Sequence, residues 1–582
     1  MTVDIQQGSP QFPTVTGSIS STQEAMNVAI QTLQAHKDAW VLLTIDDRVA
    51  ILDDLIKDFA AIAPRWVAVS LQAKGIREGV PAAAEEWVLG PWSILKNLSQ
   101  LRQSLIDIKN IGHPKIAGPV ITRPDGQVVA QVYPQTVYDR LSSNGATAEI
   151  WMEPGVTVEE LPKTQAFVYQ EQKHQGKVAL VLGAGNVSSI GPMDILYKLF
   201  VEDQVVILKT NPVNAYLAPL MEESFRVLIE PGFLRIVNGG AAEGAYLCNH
   251  PGVDEIHITG SDKTFDAIAF GSGAEGATRK AEGKPVLTKR VTGELGNVSP
   301  VIVVPGPWSA NDLTYQAEHI VSMLTNNAGF NCNATRVIIQ QAGWEQRERL
   351  LQEIRALLQR VAPRNAYYPG AKDRQQAFVA AHPEAERFGT ATGEQLPWTL
   401  IANVNPEHVD DICFTTEAFC GLFAETALDT SGVIEYIDRA VTFANEHVWG
   451  TLNVTIIVHP QSLKDPQVAA AVERAVANLR YGTVGVNNWA GAGFVLAVPT
   501  WGAFPGHTLE NIQSGTGVVH NTLMFSRPQK SVVRGPFRSL LTPPWFVTQG
   551  KVARNVFPKL VDFEAEPSVW KVPGILWAAI KG

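Results

Sequence analysis

The feature that most constrains the fold is a succession of strand, glycine turn, helix and strand that begins near residue 177. The apolar run 178–182 is followed by Gly183-Ala-Gly-Asn, by a helical pattern over 192–201 and by a second apolar run over 205–208. Further runs of strand length lie at 234–237, 255–258 and 299–304. Strands that alternate with helices form parallel sheets through right-handed crossovers. The pattern therefore predicts an α/β fold with a parallel sheet.

The regions on either side of this pattern have different periods. Residues 22–110 carry apolar side chains at a period near 3.6, which predicts helices. The candidate N-caps of these helices are Ser21, Thr22, Asp46 and Asp47. Residues 127–133 alternate apolar and polar side chains, which predicts a strand. The region after about residue 505 is rich in Pro, aromatic and β-branched residues and has no single period.

Composition favours a folded enzyme in a reducing compartment. The chain has 582 residues, of which 45% are hydrophobic, and a net charge of −10, which disfavours binding to nucleic acid or to anionic membranes. The four cysteines indicate neither a disulfide framework nor a metal site. The first residues do not resemble a signal peptide, and Gly and Pro interrupt the uncharged stretch 481–509 too often for a transmembrane segment. We therefore expect a cytoplasmic protein.

Two side chains have the chemistry of an active site. Cys332 lies in a polar loop, Asn326-Asn-Ala-Gly-Phe-Asn-Cys, where a thiol is a candidate nucleophile, although an isolated cysteine is more often an inert buried side chain. Glu294 is a lone carboxylate in an uncharged run that leads into an apolar strand. Burial there would raise its pKa toward the range of a general base, and a surface turn is the alternative.

Two glycine turns are candidate phosphate sites. Gly183-Ala-Gly-Asn-Val-Ser lacks the third glycine of a dinucleotide fingerprint, because Ser188 stands in its place. Thr259-Gly-Ser-Asp follows a strand and opens a helix whose free N–H groups suit phosphate. Each motif alone is equally consistent with an ordinary strand-to-helix turn.

The order of the motifs is more specific than any one of them. In chain order they are Asn186, Lys209, Thr259-Gly-Ser, Glu294 in Gly-Glu-Leu-Gly, Cys332, Glu417 in Glu-Ala-Phe, Asn445-Glu and Gly482-Thr-Val-Gly-Val-Asn. This series resembles that of the aldehyde dehydrogenase superfamily over residues 20–520, and the interval from Asn186 to Lys209 is typical of the family. The resemblance indicates a divergent member.

The resemblance implies the NAD- or NADP-dependent oxidation of an aldehyde to a carboxylic acid. Cys332 would attack the aldehyde as a thiolate and form a thiohemiacetal, which hydride transfer converts to a thioester. The side-chain amide of Asn186 and the backbone N–H of Cys332 would hold the oxyanion. Glu294 would activate the water that hydrolyses the thioester.

The resemblance also implies a cofactor site. By position, Lys209 matches the lysine that bonds the adenosine ribose, Gly260 and Ser261 match the turn near the pyrophosphate, Glu417 matches the carboxylate on the nicotinamide ribose, and Phe419 matches the aromatic beside the nicotinamide. Pro212 stands where NAD-specific members carry an acid, so the choice between NAD and NADP stays open.

Other departures from the family pattern weaken inference about the substrate. Cys420 and Gly421 replace the usual Gly-Pro after Glu-x-Phe, Asn297 replaces a glycine after Glu-Leu-Gly, and residues 271–289 form an insertion. The uncharged stretch 487–504 occupies the place where the family builds a wall of the substrate entrance. Its candidate tunnel residues are Trp489, Phe494, Trp501 and Phe504, which favours an apolar aldehyde; packing against the tail or another subunit is the alternative.

By resemblance the fold is a doubly wound parallel-sheet cofactor domain, a second α/β catalytic domain and an oligomerisation arm. We expect the cofactor domain at 1–135 and 165–293 and the catalytic domain at 294–500. The arm and a long C-terminal extension would take up 136–164 and 501–582. Such arms pair across subunits, so a homodimer or homotetramer is expected.

Three alternatives to the hydrolytic dehydrogenase stay open. A CoA-acylating dehydrogenase keeps the cysteine but usually lacks the Gly-Glu-Leu-Gly base, so Glu294 disfavours it. A Cys/His hydrolase needs a histidine beside Cys332, and none of the twelve lies in a motif that nominates it. A catalytically inactive descendant of the fold is disfavoured by the joint presence of Cys332, Glu294 and Asn186.

Overall fold

The chain opens with long helices, as the 3.6-residue period predicts. The long helices are α1 (Gln23–Val41), α2 (Ile45–Ala73) and, after the single turn α3 (Glu85–Trp87), α4 (Ser93–Ile111). This computed structural model describes residues 7–10, 12, 13, 15, 19–143, 145–170 and 174–582. Thr22 caps α1, as predicted. The prediction for α2 was wrong by one turn: Thr44 is the N-cap, and Asp47 returns a bond to it from the first turn, because a hydroxyl and a carboxylate three residues apart form a capping box.

The remaining helices and the strands cover most of the rest of the chain. The helices are α5 (Val137–Ser142), α6 (Phe167–Gln170), α7 (Ile190–Leu196), α8 (Ala218–Ser224), α9 (Arg226–Ile229), α10 (Ala241–Asn249), α11 (Asp262–Phe270), α12 (Gly273–Ala281), α13 (Ala310–Thr325), α14 (Arg347–Leu358), α15 (Ala371–Ala381), α16 (Ile412–Thr415), α17 (Val433–Glu446), α18 (Pro466–Asn478), α19 (Ala492–Val495), α20 (Gly550–Ala565) and α21 (Val572–Lys581). Short 3-10 helices are Pro81–Ala84, Leu161–Thr164, Pro212–Leu217, Asn326–Gly329, Ser462–Lys464, Val547–Gln549 and Val569–Lys571, and π-helical turns are Val88–Trp92 and Tyr197–Val201.

The strands are β1 (Val120–Thr122), β2 (Val128–Tyr133), β3 (Thr147–Met152), β4 (Val178–Leu182), β5 (Val205–Thr210), β6 (Leu234–Asn238), β7 (Glu255–Thr259), β8 (Arg290–Glu294), β9 (Ser299–Val303), β10 (Thr335–Gln341), β11 (Arg364–Asn365), β12 (Glu386–Phe388), β13 (Gln395–Leu396), β14 (Trp398–Val404), β15 (Leu422–Leu428), β16 (Asn453–Ile457), β17 (Thr483–Val486), β18 (Trp501–Gly502), β19 (Gly515–Thr516), β20 (Val518–Val519) and β21 (Pro528–Arg534). Every apolar run that predicted a strand is part of one.

A six-stranded sheet contains the succession that opened the sequence analysis. Its order is β19-β8-β7-β4-β5-β6, and β8 through β6 are all parallel, which confirms the α/β prediction. The strands β4 and β5 are buried along their whole length, because helices cover both faces. The carboxyl ends of these strands lead into the turns at Gly183, Lys209 and Thr259.

An eleven-stranded sheet forms the other half of the fold. Its order is β1-β2-β3-β21-β17-β16-β9-β10-β15-β14-β12, with a parallel centre from β17 to β14. Strand β21 runs parallel to β17 and antiparallel to β3, so it joins the antiparallel strands β1 to β3 to the parallel centre. The domain boundaries stay a prediction.

Helices also form where the sequence predicted no element. The inserted residues include α12, and the tail folds into α20 and α21, which pack on each other through Ala553 and Ala578. The outer side of this tail exposes Trp570, at 88% of its surface, and Trp577. Within the described residues, no helix combines the length and apolarity that crossing a membrane requires.

Candidate active site

Cys332 follows a strained turn between α13 and β10. Asn327, Ala328 and Gly329 take φ angles of 51°, 57° and 82°, a left-handed run that glycine adopts freely, asparagine tolerates and alanine adopts only when its surroundings hold it. Two side chains then fix the backbone of Cys332: Ser299 Oγ and Asn453 Nδ2 donate to its carbonyl at 2.9 and 3.2 Å. The thiol is therefore held on a rigid loop.

Buried charged groups hold the turn from below. Lys74 Nζ forms a 2.7 Å ion pair with Glu86 and donates to Asn327 Oδ1 at 3.0 Å, and both charged side chains are almost fully buried. The carboxylate of Glu85 accepts the backbone N–H of Asn327 at 2.8 Å. On the other side, the Arg336 guanidinium donates to the carbonyls of Gly329 and Asn331. Of these supporting residues, only Arg336 belongs to a motif selected from the sequence, as the last residue of the run 326–336 around Cys332.

The side chain of Asn186 lies next to this loop. Its Nδ2 donates to the carbonyl of Phe330 at 2.9 Å, two residues before Cys332. The backbone carbonyl of Asn186 accepts from Asn327 Nδ2 at 3.1 Å and from the Tyr367 hydroxyl at 2.8 Å. An amide nitrogen has two protons, so one N–H of Asn186 is left for another acceptor.

The carboxyl of Glu294 lies against the thiol of Cys332. Glu294 is the last residue of β8 and is 3% exposed. Burial raises its pKa to about 7, and contact with the Cys332 thiol and the Trp501 indole opposes that rise. Burial and the neighbouring Glu294 and Glu417 carboxyls raise the pKa of the Cys332 thiol well above its usual value. Glu294 is therefore the member of the pair that titrates near neutral pH, and the thiol holds its proton more tightly.

An apolar cavity of about 310 Å³ leads to Cys332. This volume is at the lower end of the ~300–1,000 Å³ of small-molecule sites. Around the thiol the lining includes Asn186, Asn331 and Asn333; elsewhere it is dominated by apolar and aromatic side chains. The structure thus places the Cys332 thiol beside amide side chains in a largely apolar pocket.

The aromatic residues predicted for this cavity divide into two pairs. Trp489 and Phe494 are among its lining residues. Trp501 lies outside the lining, because its strand pairs with Val519 and places the fully buried indole beside Phe494 and Glu294. Phe504 also lies outside, because its ring packs 5.2 Å from the Lys530 ammonium.

The tail supplies cavity residues that sequence reasoning missed. They are Pro543, Pro544, Trp545, Phe546, Phe557 and Leu560. Trp545 contacts Trp489 at 5.3 Å between ring centroids, and the indole N–H of Trp489 donates to the carbonyl of Asn333. Trp489 therefore connects the tail residue Trp545 to Asn333, the residue that follows Cys332. The spacing of Phe557 and Leu560 on one helical face was the only sequence signal for this wall.

Three of the residues predicted to hold a cofactor, Lys209, Gly260 and Ser261, lie at the carboxyl ends of strands in the six-stranded sheet. Lys209 Nζ donates to the carbonyls of Gly239 and Gly240 at 2.9 and 3.3 Å, and burial lowers its pKa to about 8. Ser261 caps α11 by accepting the N–H of Thr264 at 3.1 Å. Gly260 donates to the carbonyl of Glu294 at 3.1 Å, which ties this turn to the active-site strand.

Pro212 begins a 3-10 helix directly after β5. The side chain of Asn211 caps it by accepting the N–H of Val213 at 3.0 Å. No carboxylate stands at this position, three residues after Lys209.

Glu417 and Phe419 are buried under the amino-terminal segment, the described residues 7–10, 12 and 13. Gly8 donates to the carbonyl of Thr415 at 2.8 Å and accepts the N–H of Glu417 at 3.1 Å. The ring of Phe12 contacts that of Phe419 at 5.5 Å. Glu417 is 1% exposed, burial raises its pKa to about 7, and its Oε1 has no hydrogen-bond partner among the described residues.

Among the described residues, one group of side chains has the arrangement of metal ligands. His382, Asp411 and Cys413 place their ligand atoms within 4.8 Å of one another. Both ring nitrogens of His382 already have carboxylate partners, Asp411 at 3.0 Å and Glu384 at 2.9 Å. The cluster is therefore accounted for by ion pairing.

Comparison with known proteins identifies what this arrangement is similar to. The model of the aldehyde dehydrogenase family matches residues 200–377. Aldehyde dehydrogenase LUC3 of Fusarium sp is 28% identical over 183 residues, which cover 31% of this chain and 34% of that protein. Human 4-trimethylaminobutyraldehyde dehydrogenase is 32% identical over 146 residues, 23% of this chain and 25% of that protein. These alignments span about a third or less of each curated relative.

Solved structures match nearly the whole fold. The NADP-dependent glyceraldehyde-3-phosphate dehydrogenase of Bacillus halodurans, complexed with NADP, superposes with a TM-score of 0.59 at 18% identity, over 90% of this chain and 96% of that one. A variant of aldehyde dehydrogenase C of Pseudomonas syringae, complexed with NAD+ and octanal, gives a TM-score of 0.57 at 17% identity, over 89% and 90%. The fold is thus that of aldehyde dehydrogenases.

Proposed function

We propose that this chain, which belongs to the aldehyde dehydrogenase superfamily, oxidises an apolar aldehyde to a carboxylic acid with NAD or NADP as the oxidant. The observation that carries the proposal is the contact between the Cys332 thiol and the buried Glu294 carboxyl beside an apolar cavity. A nucleophile on a rigid loop, a base at the end of a neighbouring strand and amide donors beside them are the parts that acyl chemistry needs.

Cys332 is the nucleophile in this proposal. The Cys332 thiol loses its proton to solvent, and the thiolate forms a bond to the aldehyde carbon, which gives a thiohemiacetal. The free N–H of the Asn186 amide and the backbone N–H of Cys332 stabilise the negative charge on the former carbonyl oxygen. The bond from Asn186 to Phe330 keeps that amide in place without any change of conformation.

The residues of the cofactor groove fit a dinucleotide. The chemistry that NAD or NADP supplies when bound is the removal of a hydride from the carbon attached to Cys332. Lys209 keeps one ammonium proton for a ribose hydroxyl, and Glu417 has a buried oxygen without a partner, which suits a second ribose. Asp262 in the first turn of α11 opposes a phosphate there, and its ion pair with Lys263 at 3.3 Å offsets that charge.

Glu294 then acts as the base of hydrolysis. Its carboxylate takes a proton from water, the hydroxide oxygen bonds to the thioester carbon, and the carbon–sulfur bond breaks to release the carboxylic acid and Cys332. A pKa of about 7 suits this task, since the base is half ionised near neutral pH. The presence of this base beside the thiol supports hydrolysis over transfer to CoA.

The lining of the cavity supports an apolar substrate. Trp489, Phe494, Trp545 and Phe557 offer ring surfaces, and each buried methylene contributes about 0.8 kcal/mol. The octanal bound to aldehyde dehydrogenase C, a protein of the same fold, is consistent with this substrate class. Two further predictions from the sequence stay part of the proposal: the chain forms a homodimer or homotetramer, and its domains have the boundaries given above.

Removing the thiol or the base separates the two chemical steps. Cys332→Ala should abolish aldehyde oxidation while the dissociation constant of NADP+ stays unchanged, because the thiol bonds only the substrate. Glu294→Gln should give a burst of reduced cofactor and then stall, because the thioester forms but is not hydrolysed. Stopped-flow absorbance of reduced nicotinamide measures both.

The pH profile adds a check on the same assignment. Glu294 is the base only when ionised, so thioester hydrolysis should rise between about pH 6 and 8 in the wild type, and Glu294→Gln should lose that rise. Unchanged steady-state turnover in either variant would contradict the assignment.

Chain length should control catalytic efficiency until the cavity is full. In a series of linear aldehydes, kcat/KM should increase about 3- to 4-fold per added methylene, if the binding energy is retained in the transition state. Phe557→Ala should extend the rise to longer aldehydes, because it removes a ring from the cavity wall. Phe563→Ala is the matched control, since that ring lies on the same helix against Tyr138. A flat series, or a preference for aldehydes that carry a carboxylate, would overturn the apolar assignment.

The absence of an acid at residue 212 should permit NADP. A carboxylate there would repel a 2′-phosphate and bond a free 2′-hydroxyl, and proline does neither. We expect dissociation constants for NADP+ and NAD+ of similar size, measured by isothermal titration. Pro212→Glu should weaken NADP+ selectively, whereas Pro212→Gln should not. If wild-type NADP+ binds a hundredfold more weakly than NAD+, other residues discriminate.

A further inference from the structure

A polar stripe runs along one face of the paired strands β7 and β8. The register pairs are Glu255 with Arg290, His257 with Thr292 and Thr259 with Glu294. Alternate residues of a strand share a face, so these side chains project to the same side of the sheet. On the other face, Ile256 and Ile258 are buried in the apolar core.

The middle of this stripe is buried and connected by hydrogen bonds. Strands that are buried on both faces ordinarily carry apolar residues, because a buried polar group needs a partner. Here His257 Nδ1 lies 2.9 Å from Thr292 Oγ1, and His257 Nε2 lies 3.3 Å from Thr259 Oγ1. The Thr259 hydroxyl donates to Asp194 Oδ2 at 2.9 Å.

The two ends of the stripe have opposite environments. Glu294, the inner end, lies opposite Thr259 and is almost completely excluded from water. At the outer end, Arg290 pairs with Glu255 at 2.6 Å and with Glu202 at 3.1 Å. The side chain of Arg290 is half exposed, so this ion-pair cluster reaches solvent.

We propose that the stripe conducts protons between Glu294 and the surface, with Thr259, His257 and Thr292 as the carriers. This inference rests on the proposed function, in which Glu294 takes a proton from the attacking water and has to lose it before the next turnover. Asp194 orients the Thr259 hydroxyl and is a positioning residue.

Each carrier gains one proton and loses one. The Thr259 hydroxyl first rotates from Asp194 Oδ2 toward His257 Nε2. Protonated Glu294 then gives its proton to Thr259 Oγ1 as the original hydroxyl proton moves to His257 Nε2. The Nδ1 proton of His257 moves to Thr292 Oγ1, which releases its proton toward the carboxylates of Glu255 and Glu202. Glu294 is again a carboxylate, and no carrier keeps a charge. Rotation of the hydroxyls and a flip of the imidazole ring restore the starting arrangement.

The groups that face His257 favour transfer through its neutral form. Burial lowers its pKa to about 3, and the nearby Lys198, Arg290 and His520 act in the same direction, while Glu202 opposes them. A charged imidazolium would therefore be disfavoured near neutral pH. Exchange between the two neutral tautomers avoids that state.

The test follows hydrolysis of the acyl enzyme directly. His257→Gln keeps a donor and an acceptor but exchanges no proton, and Thr292→Val removes one carrier hydroxyl with little change of shape. After rapid mixing with limiting aldehyde and cofactor, intact-mass spectrometry of quenched samples gives the decay of acylated Cys332. We expect decay at least tenfold slower in both variants, with a larger solvent deuterium isotope effect and unchanged rates of acylation.

The control is His507→Gln, which alters another histidine whose pKa burial lowers and whose Nε2 lies 2.8 Å from Thr451 Oγ1, away from the cavity. It should leave the decay unchanged. Wild-type decay and isotope effect in both His257→Gln and Thr292→Val would overturn the proton path, as would acylation slowed as much as decay, which indicates a structural role. If the wild type forms no acyl enzyme, the proposed function fails instead.

A separate observation concerns the amino-terminal segment, defined here as the described residues 7–10, 12 and 13. Besides the bonds from Gly8 to the Thr415 and Glu417 backbone, Ser9 N–H donates to Asp262 Oδ1 at 2.9 Å. Lys263 Nζ donates to the carbonyl of Gln7 at 2.7 Å. The segment therefore bridges the first turn of α11 and the Glu417 loop.

This segment leaves the polar groups beneath it unsatisfied. Ser9 Oγ and Glu417 Oε1 are buried and have no hydrogen-bond partner among the described residues. A Cβ on Gly296, two residues after Glu294, would lie within 2.4 Å of Ser9 Oγ and 2.3 Å of Glu417 Oε2, so these atoms pack directly on the active-site backbone. Buried polar atoms ordinarily have a hydrogen-bond partner, so the amino-terminal segment is an incomplete substitute for a ligand that would bond Glu417 Oε1.

We infer that the segment competes with the nicotinamide half of the cofactor and leaves the groove when the cofactor binds. The inference rests on the proposed function, which assigns Glu417 to a ribose. The segment and the cofactor then compete for the space above Gly296, so the apparent affinity for the cofactor is the intrinsic affinity multiplied by the fraction of molecules in which the segment is released.

Two measurements besides activity test this competition. Hydrogen exchange should show protected amides at Gly8 and Ser9 that lose protection when NADP+ saturates the protein. Phe12→Ala removes the ring contacts with Phe419 and Tyr368, at 5.5 and 5.2 Å, and deletion of residues 2–13 removes the segment. Both should lower the dissociation constant of NADP+, the deletion by about tenfold. Deletion of residues 2–6 alone is the control.

Protection that persists at saturation, or equal or weaker binding in the 2–13 deletion, would overturn the competition. If neither the full chain nor the deletion binds NAD+ or NADP+, the proposed function fails and the competition with it.

Discussion

The left-handed turn Asn327–Gly329 is the constraint on which the rest of the site depends. It reverses the chain between α13 and β10, and a run of three left-handed residues is unfavourable unless the surroundings stabilise it. Asn327 is bonded from both sides, to Lys74 and to Asn186. The ion pair of Lys74 with Glu86 thereby fixes the position of the Cys332 loop relative to Asn186. Apolar packing alone is not directional and would fix this position less strictly.

Burial then sets the protonation of the reactive groups. Glu294 and Glu417 both have pKa values raised to about 7 by the same cause, the exclusion of water, yet they differ in their surroundings. Glu294 faces a thiol and an indole, whereas Arg336 lies near Glu417 and favours its ionised form. Glu294 also lies at the end of the polar stripe on β7 and β8, the proposed path for its proton, whereas Glu417 is not on these strands.

The parallel strands, the helices before residue 111 and the loop that carries Cys332 could be predicted because their signals are local. Asn186, Glu294 and Cys332 could be brought together only by the order of motifs, since their contacts join distant parts of the chain. Lys74, Glu86 and Trp545 were missed because each acts through a tertiary contact that no periodicity records. Trp501 and Phe504 were assigned to the cavity because they are close in sequence to Trp489 and Phe494. In the structure Trp501 pairs with Val519 in a short sheet, and the ring of Phe504 packs against Lys530, so both lie outside the cavity.

Strand β21 gives the fold a particular dependence on the order of synthesis. Residues 528–534 occupy the gap between β3, at residues 147–152, and β17, so neither neighbour can complete its hydrogen bonds until almost the whole chain has left the ribosome. Pairings so remote in sequence form slowly. The tail that follows β21 also carries the cavity wall. A nascent or truncated chain therefore holds its thiol in an unfinished pocket, and any catalytic competence arrives only with the last tenth of the protein.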